Sequence, residues 1–447
     1  MKFNRILFFV IAATLIAVAT FSCSKIESIP ENEMEAVGTA SDELLPLTRS
    51  EVIALAVQKK GTYAIPESEA LCMLKRYTAS DDNERAISVK STVLKKNAKT
   101  GKDMYYVFVF ESEKGTGFSL VSADERAPDL LCYSEKGAIS DTSFNKSMKF
   151  CFELIDIYMD EQTKGELDVE TLALSAKEKM KKIALLENQP ITSRGISAPI
   201  FDPNDPKWIY DGGSIEEITE QRLKQIKGGW HQSWPFNNLL PYVAGIGTWN
   251  ERAFAGCAMI AVTQIMSYHR KPFGNPTYII TSDWQSMIDY PNSSAQLQSL
   301  IRDAFDNMNT GYDATGTSSN ITKARNFLNN NGYTAGATSS YSFTGVWNAL
   351  QWGPTFIRGS TSADEGHAWV VDGARKIQHY LYEYYHCIYV GKLFEYIDKT
   401  LIGTTNMVRY DWGWGPNPTI NTWFNSNIFQ VDTYNFNVDV SIISSIK

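Results

Sequence analysis

"FAGCAMIAVTQIMSYHRKP", residues Phe254–Pro272, combines a single cysteine with a long apolar run. From Ala258 onward the apolar side chains would cover most of the circumference of a helix, so the pattern predicts a buried helix with only its first turn at a cleft. Cys257 stands at the start of this helix. Free N–H groups at a helix start favour an anion, and a thiolate placed there is a nucleophile.

Two interpretations of Cys257 are open on this stretch alone. Most free cysteines are small, buried apolar residues, and Cys257 could fill a core in the same way. A nucleophile needs in addition a base that shares its proton and donors that stabilise an oxyanion. The rest of the sequence has to supply those groups if Cys257 is catalytic.

Among the five histidines of the chain, His367 is the best candidate for the base. It lies in GHAWVVDGA, where a Gly-His pair opens an apolar run that predicts a buried strand, so the imidazole would lie at a sheet edge. His269 follows Cys257 on the same helix by 12 residues, which is roughly 18 Å at 1.5 Å per residue and out of reach. His379 and His386 lie in a tyrosine-rich run and are predicted to be ordinary strand residues.

Four motifs in one order, WHQSWPFN, AGCAMIAVTQIMSYHRKP, GHAWVVDGA and DWGWG, resemble those of the streptopain family of papain-like cysteine peptidases. The likeness extends roughly from residue 228 to residue 415. It implies an α+β fold in which a papain-like catalytic domain has two subdomains, one helical and one of antiparallel strands. It also implies an endopeptidase that hydrolyses a protein or peptide substrate and needs neither a metal nor an organic cofactor.

The resemblance assigns the central chemistry to three residues. Cys257 matches the nucleophile, which forms a thioester with the substrate, and His367 matches the base. Gln232 matches the side-chain donor of the oxyanion hole, where the backbone N–H of Cys257 joins it. An amide N–H can stabilise a developing oxyanion, so this role fits the chemistry of the residue.

The DWGWG segment departs from the family pattern in two ways. Asp411 stands where the family has the asparagine that orients the histidine, and Pro416 stands soon after the motif where a glycine is usual. Trp412 and Trp414 match the tryptophans that shelter the catalytic pair from water. A stretch that resembles an insertion, residues 376–407, also lies near the expected cleft, so substrate specificity is the property most open to change.

A change of composition divides the chain into two parts. All eleven tryptophans occur from Trp208 onward, and the segment Leu186–Pro206 is dense in Pro, Ser and Asn, as in a linker. The part before it resembles the propeptide of the family, most clearly at GFSLVSADERAPDLLCYSEKG. We therefore predict an inhibitory pro-domain at residues 24–195 and the peptidase domain at residues 196–447.

The predicted pro-domain is itself small and α+β. Helical spacing begins near Ser50, which would act as the N-cap. The runs MYYVFVFE (104–111) and GFSLVS (117–122) predict two strands, with GTG between them as the turn of a hairpin. This pro-domain would be an intramolecular partner of the peptidase domain.

The first 23 residues resemble a bacterial lipoprotein signal. Lys2 and Arg5 precede an apolar run, residues 6–19, that is short for a membrane span and typical of a signal peptide. Cys23 would receive the lipid and anchor the protein to the membrane. The expected location is therefore the cell envelope or surface, with plain secretion as the alternative because Thr20 replaces the usual leucine.

Charge and cysteine usage exclude other classes of function. The net charge of −8 disfavours a nucleic-acid partner, which selects basic surfaces. The chain has no CxxC pair, which disfavours a zinc site, and five cysteines follow Cys23, so at least one thiol stays unpaired. Two rival functions stay open: a peptidoglycan amidase of the Cys-His type, and a surface lipoprotein that binds without catalysis.

Overall fold

The computed structural model describes residues 47–79, 87–139, 146–187, 206–227, 229–245, 250–314, 316–361, 365–389, 392–413, 422–429 and 438–447. The predicted signal segment with Cys23, most of the predicted linker, Trp414 and Pro416 lie outside the described residues. No helix in the described part of the chain is long and apolar enough to cross a membrane.

The described residues form an α+β fold, as the sequence predicts. The helices are α1 (Arg49–Lys60), α2 (Glu67–Ala79), α3 (Lys146–Gln162), α4 (Val169–Glu187), α5 (Cys257–His269), α6 (Asp283–Asp289), α7 (Ala295–Met308), α8 (Ile321–Asn330) and α9 (Phe343–Ala349). The strands are β1 (Ser88–Lys96), β2 (Asp103–Ser112), β3 (Gly115–Ser122), β4 (Leu130–Ser134), β5 (Ile209–Leu223), β6 (Gly311–Tyr312), β7 (Thr317–Ser318), β8 (Thr338–Ser340), β9 (Thr355–Thr361), β10 (Glu365–Tyr389), β11 (Lys392–Asp411), β12 (Thr422–Asn425) and β13 (Val438–Ile443).

Most of these strands belong to one large antiparallel sheet. Its order is β1-β2-β3-β4-β12-β11-β10-β9-β13-β8, and β5 also pairs with β10. Strands from the first part of the chain therefore continue directly into strands from its C-terminal part. The joint is the β4–β12 pair, in which Tyr133 lies opposite Trp423 and Cys132 opposite Phe424.

The described chain divides into two compact units. The first contains α1, α4, the start of β5, and the outer ends of β10 and β11. Within it α1 packs against α4, and Glu51 on α1 accepts hydrogen bonds from Ser175 and Lys179 on α4. Burial acts to raise the pKa of Glu51, but the hydrogen bonds from Lys179, Thr48 and Ser175 outweigh it and lower this pKa to about 2.

The second unit contains the sheet and the remaining helices, and it has three apolar cores. One surrounds α5 and also contains α7 and α8. Another joins α3 to the middle of the sheet, where Leu154 and Tyr158 lie in the same cluster as Trp369 and Trp412. Since α3 precedes the linker and the tryptophans follow it, the two parts of the chain share a core.

The predicted hairpin is confirmed, but its turn lies elsewhere. Ser112 of β2 pairs with Gly115 of β3, so the turn consists of the two residues between them and GTG belongs to the strand. Glycine is needed at position 117 because the backbone of β4 approaches it closely: a Cβ on Gly117 would lie 2.5 Å from the carbonyl oxygen of Ser134. Helix α1 begins two residues earlier than predicted, because Thr48 rather than Ser50 is the N-cap and forms a reciprocal capping box with Glu51.

The insertion-like stretch is part of two long strands. β10 runs from Glu365 to Tyr389 and β11 from Lys392 to Asp411, so residues 376–389 and 392–407 belong to these two strands. His379 and His386 lie in β10, as predicted. His386 Nδ1 contacts Asp211 Oδ1 at 2.7 Å, within the first unit.

Candidate active site

Cys257 is the first residue of α5, and the helix behind it is buried as predicted. Gly256 forms the N-cap with φ +88°, a conformation that a side chain rarely adopts. A Cβ on Gly256 would also lie 3.0 Å from Met259 Sδ and 3.3 Å from Thr317. The glycine therefore lets the chain turn sharply into the helix and presents the thiol at its N-terminus.

The structure brings Cys257 next to the strand that carries His367. The backbone N–H of Ala368, the residue after His367, donates to Cys257 Sγ at 3.3 Å. Both lie in the second unit, where β9 fixes the position of β10 by pairing Gly359 with His367 and Arg358 with Ala368. The side chains of Cys257 and His367 are both half-buried. Residues 110 positions apart in sequence thus meet at one site.

Burial raises the pKa of the Cys257 thiol above its ordinary value. The N–H groups of Ala368, Ala258 and Cys257 act in the opposite direction, and so does the positive charge of Arg358. The position of Cys257 at a helix N-terminus predicted a lowered pKa. The pKa is raised instead, because the thiol packs against the core around α5. The loss of hydration there outweighs the stabilisation of the thiolate by the N–H groups.

The main chain of Gln232 is bonded to the turn that precedes Cys257. Its carbonyl oxygen accepts a hydrogen bond of 2.8 Å from the backbone N–H of Ala255, two residues before Cys257. Further along the same segment, the buried amide of Asn237 donates from Nδ2 to the carbonyl oxygens of Arg252 and Ala253 at 3.2 and 3.1 Å. These bonds tie the segment that carries Gln232 to the turn that leads into α5.

Asp411 contacts α5 at Gln264, which lies two turns along the helix from Cys257 and on the same face. Its Oδ1 accepts hydrogen bonds of 3.0 Å from Gln264 Nε2 and from the N–H of Gly413. Its Oδ2 is buried and has no hydrogen-bond partner among the described residues. Burial raises the pKa of Asp411 to about 6, with Asp372 adding to the rise, against the opposing hydrogen bonds and Arg409.

These contacts do not include the predicted partner His367. The orienting role of Asp411 therefore stays a prediction. Gly413 completes the local arrangement, since a Cβ on it would lie 2.8 Å from Ile260 Cγ2 and would force β11 away from α5.

Trp412 is part of the core. It is 1% exposed, and its ring lies 5.2 Å from those of Trp369 and Tyr410 and 5.7 Å from that of Phe424, measured between centroids. Trp369 is two residues from His367 on β10, so this ring contact lies near the predicted base. Its sheltering role stays a prediction.

The structure also describes His231 and His269. His231 accepts from the N–H of Ser233 at 3.3 Å and stacks edge-on with Phe236, and burial lowers its pKa. Burial also lowers the pKa of His269, to about 4, with help from the charge of Lys271. Within the described residues, no group of three or more His, Cys, Asp or Glu could hold a metal ion.

Two polar residues that build this site, Gln264 and Asn237, were not predicted from the sequence. Gln264 is a buried amide in an otherwise apolar helix, and it connects α5 to Asp411. Asn237 ends the WHQSWPFN motif and is fully buried. A polar residue inside a run that is otherwise buried is itself a signal, because burial without a hydrogen-bond partner is costly. That signal was present in the apolar run after Cys257, but not in WHQSWPFN, where residues 231–234 are half-buried or exposed.

Comparison with protein families agrees with this geometry. The model of the Peptidase C10 family, which is the streptopain family, matches residues 230–419. The model described as Spi protease inhibitor matches residues 63–159. A comparison with curated proteins finds no match. The two family matches lie inside the predicted segments 24–195 and 196–447, whose common boundary stays a prediction.

The two matched segments together cover more than half of the chain. They are also in direct contact within the second unit, where Arg375 Nη1 donates to the hydroxyl of Tyr77 at 3.2 Å. The chain is therefore a member of the streptopain family, a cysteine peptidase that carries a propeptide-type inhibitor domain ahead of its peptidase domain.

Proposed function

We propose that the protein is an exported endopeptidase that is made as a zymogen and hydrolyses peptide bonds through a thioester on Cys257. One observation carries this proposal: the hydrogen bond from the N–H of Ala368 to Cys257 Sγ, which holds the thiol beside the strand that begins with His367. A cysteine with a purely structural role would not need a half-buried histidine directly before the residue that contacts its sulfur.

In the proposed reaction His367 takes the proton of Cys257, and the thiolate attacks the carbonyl carbon of the scissile bond. The amide of Gln232 and the backbone N–H of Cys257 donate to the oxyanion. His367 then returns the proton to the leaving amine, and water hydrolyses the thioester. Asp411, Trp412 and Trp414 support the pair, and the helical and β-stranded parts form the two subdomains that enclose the cleft.

We further propose that the thiol is kept in its low-reactivity form in the zymogen. The raised pKa of Cys257 leaves it mostly protonated near neutral pH, and a protonated thiol is a poor nucleophile. Formation of the thiolate requires His367 to accept the proton. Removal of the inhibitor domain would then allow the catalytic pair to form in full.

The inhibitor domain acts, in this proposal, as an intramolecular partner. The continuous β4–β12 pairing and the core shared by α3 with Trp369 and Trp412 support a tight association. The proposed cleavage region is the linker, Leu186–Pro206, with Arg194 as the basic residue next to which the chain would be cut. Export rests on the signal segment, and Cys23 is the proposed site of lipid attachment at the cell surface.

The experiment that tests this function is hydrolysis of casein by the matured protein, with and without prior treatment by iodoacetamide. We expect cleavage that the alkylating agent abolishes. Purified peptidoglycan in place of casein tests the rival amidase. If the protein consumes peptidoglycan but leaves casein intact, the amidase is correct. If it consumes neither, the non-catalytic binding lipoprotein is correct.

A further inference from the structure

A positive side chain lies beside the nucleophile and has no role in the reaction described above. Arg358 on β9 lies directly opposite Ala368 on β10 in the antiparallel register. Directly opposite residues place their side chains on the same face of a sheet, and so do residues two apart on one strand. The side chains of Arg358 and Ala368 and the open face of Gly366 therefore share one side of β10.

The distances around Gly366 give the position of the Arg358 guanidinium. A Cβ built on Gly366 would lie 2.6 Å from Arg358 Nη2 and 3.2 Å from Arg358 Cζ. The guanidinium thus rests on the backbone of the residue before His367. Gly366 is exposed and Arg358 is half-buried, so this place is open to solvent. Any side chain at residue 366 would push the guanidinium away.

Two observations connect this cation to the reacting sulfur. Ala368, the cross-strand neighbour of Arg358, donates its N–H to Cys257 Sγ at 3.3 Å. The charge of Arg358 is also one of the influences that lower the pKa of that thiol. Because Coulomb interactions weaken with distance, the second observation agrees with the first. The charge of Arg358 therefore acts at the sulfur to which a substrate would become bonded.

We propose that Arg358 is a specificity-determining residue, and that its guanidinium binds the carboxylate of an aspartate or glutamate side chain close to the scissile bond. The planar guanidinium donates two parallel N–H groups to a carboxylate, and this geometry makes arginine selective for that group. The preferred substrates are thus peptides with an acidic residue within two positions of the bond cleaved. This inference rests on the peptidase function proposed above.

A second role for the same charge predicts a different result. If Arg358 only favours the thiolate, its loss slows the cleavage of all peptides by the same factor. If it binds the substrate, its loss slows the cleavage of acidic peptides alone. The ratio of kcat/KM for two peptides separates these roles, because any effect on the thiolate cancels in the ratio.

The test uses internally quenched peptides that differ only in Glu against Gln, at each of the two positions before the scissile bond and at the first position after it. We expect the matured wild type to prefer Glu at one position by about tenfold or more, as a hydrogen bond between charged groups implies. Arg358→Gln should reduce this ratio to about one, and Arg358→Glu should favour Lys at the same position.

Iodoacetamide labelling of Cys257 reports whether each variant retains an intact site. The ratio in the wild type does not depend on the variants, so it decides the proposal even if one of them fails to fold. A wild-type ratio of one at every position would overturn the proposal, and so would an unchanged ratio in Arg358→Gln. A wild type that cleaves no peptide at all would instead refute the peptidase function on which the proposal rests.

Discussion

At the scale of single residues, the site combines groups whose protonation is set by burial. Asp411 shows the effect most clearly, because a carboxyl group at 0% exposure is surrounded by two hydrogen-bond donors and a second carboxylate, Asp372. The sequence identified Asp411 from the motif in front of WGWG. It could not show that Gln264 lies beside it, since 147 residues separate the two.

Asp411→Asn should stabilise the protein more at pH 8 than at pH 4. The pKa of Asp411 is raised from 3.8 to about 6 in the folded state. The folded state therefore binds the proton more tightly than the unfolded state, so stability is lost as the pH rises from about 4 to above 6. The difference corresponds to roughly 3 kcal/mol, which the neutral asparagine would not lose.

The measurement is urea unfolding of the wild type and Asp411→Asn at the two pH values. The asparagine keeps an oxygen for Gln264 and Gly413, and any cost of its buried amide is the same at both pH values. The difference between the two pH values therefore isolates the ionisation of Asp411. Equal changes in the free energy of unfolding at pH 4 and pH 8 would contradict the assigned pKa.

Gln232→Ala should lower kcat with little change in KM. An oxyanion donor acts mainly in the transition state, and loss of one such donor costs about 10²–10³ in kcat. Steady-state kinetics on a peptide substrate measure both constants. Asn238→Ala is a control in the same segment, since Asn238 is exposed. A Gln232→Ala enzyme with wild-type kcat and a raised KM would assign Gln232 to substrate binding alone.

At the scale of secondary structure, the elements with a strong local pattern were predictable. Helix α5 is one, because its apolar residues encode burial without reference to the rest of the chain. The length of β10 and β11 was not predictable in this way. Residues 376–407 alternate little between apolar and polar, and many of their side chains are half-buried, so the sequence resembled an insertion. Strand partners far away in sequence supply the missing information.

One of the contacts between the inhibitor segment (residues 63–159) and the peptidase segment (residues 230–419) joins α2 to β10. Arg375 on β10 donates to the hydroxyl of Tyr77 on α2, and its guanidinium stacks on Trp423, 4.5 Å from the ring centroid. A hydrogen bond from a charged group in a buried place contributes more than a neutral one. This contact should therefore slow the release of the inhibitor segment.

Tyr77→Phe should weaken the association of the two segments by about fivefold to tenfold, because it removes the hydroxyl and keeps the ring. The measurement is the rate at which the inhibitor segment dissociates after the linker has been cut. Tyr63→Phe is a matched control. Its hydroxyl accepts from the N–H of Leu167, so this bond stays within the part of the chain before the linker. Equal dissociation rates for both variants would show that the contact with Arg375 has no such role.

At the scale of the whole molecule, the sequence predicted the two segments but not the strand pairing that connects them. The composition change at Trp208 and the propeptide motif indicated two segments. Their common sheet depends on the register of β4 against β12, which pairs residues almost 300 positions apart and leaves no local pattern. The α+β class was predictable, whereas the core shared by α3 and Trp412 was not.

A cut in the linker should leave the two segments together. The β4–β12 pairing and the shared core are independent of the linker, so a cleaved chain should still elute as one species in gel filtration. Separation in mild denaturant should then expose Trp369 and Trp412 and shift the tryptophan fluorescence to longer wavelength. Immediate separation after the cut, without denaturant, would contradict this description of the joint.

The central claim is that Cys257 is the nucleophile of a peptidase. Its most direct test is the rate of casein hydrolysis by the wild type and by Cys257→Ser, both cut in the linker by the same external protease, freed of the inhibitor segment in mild denaturant and returned to buffer. The serine keeps the size of the side chain, and circular dichroism checks that the fold is retained. We predict a loss of activity of about 10³-fold or more. Hydrolysis of casein by Cys257→Ser at the wild-type rate would contradict the claim.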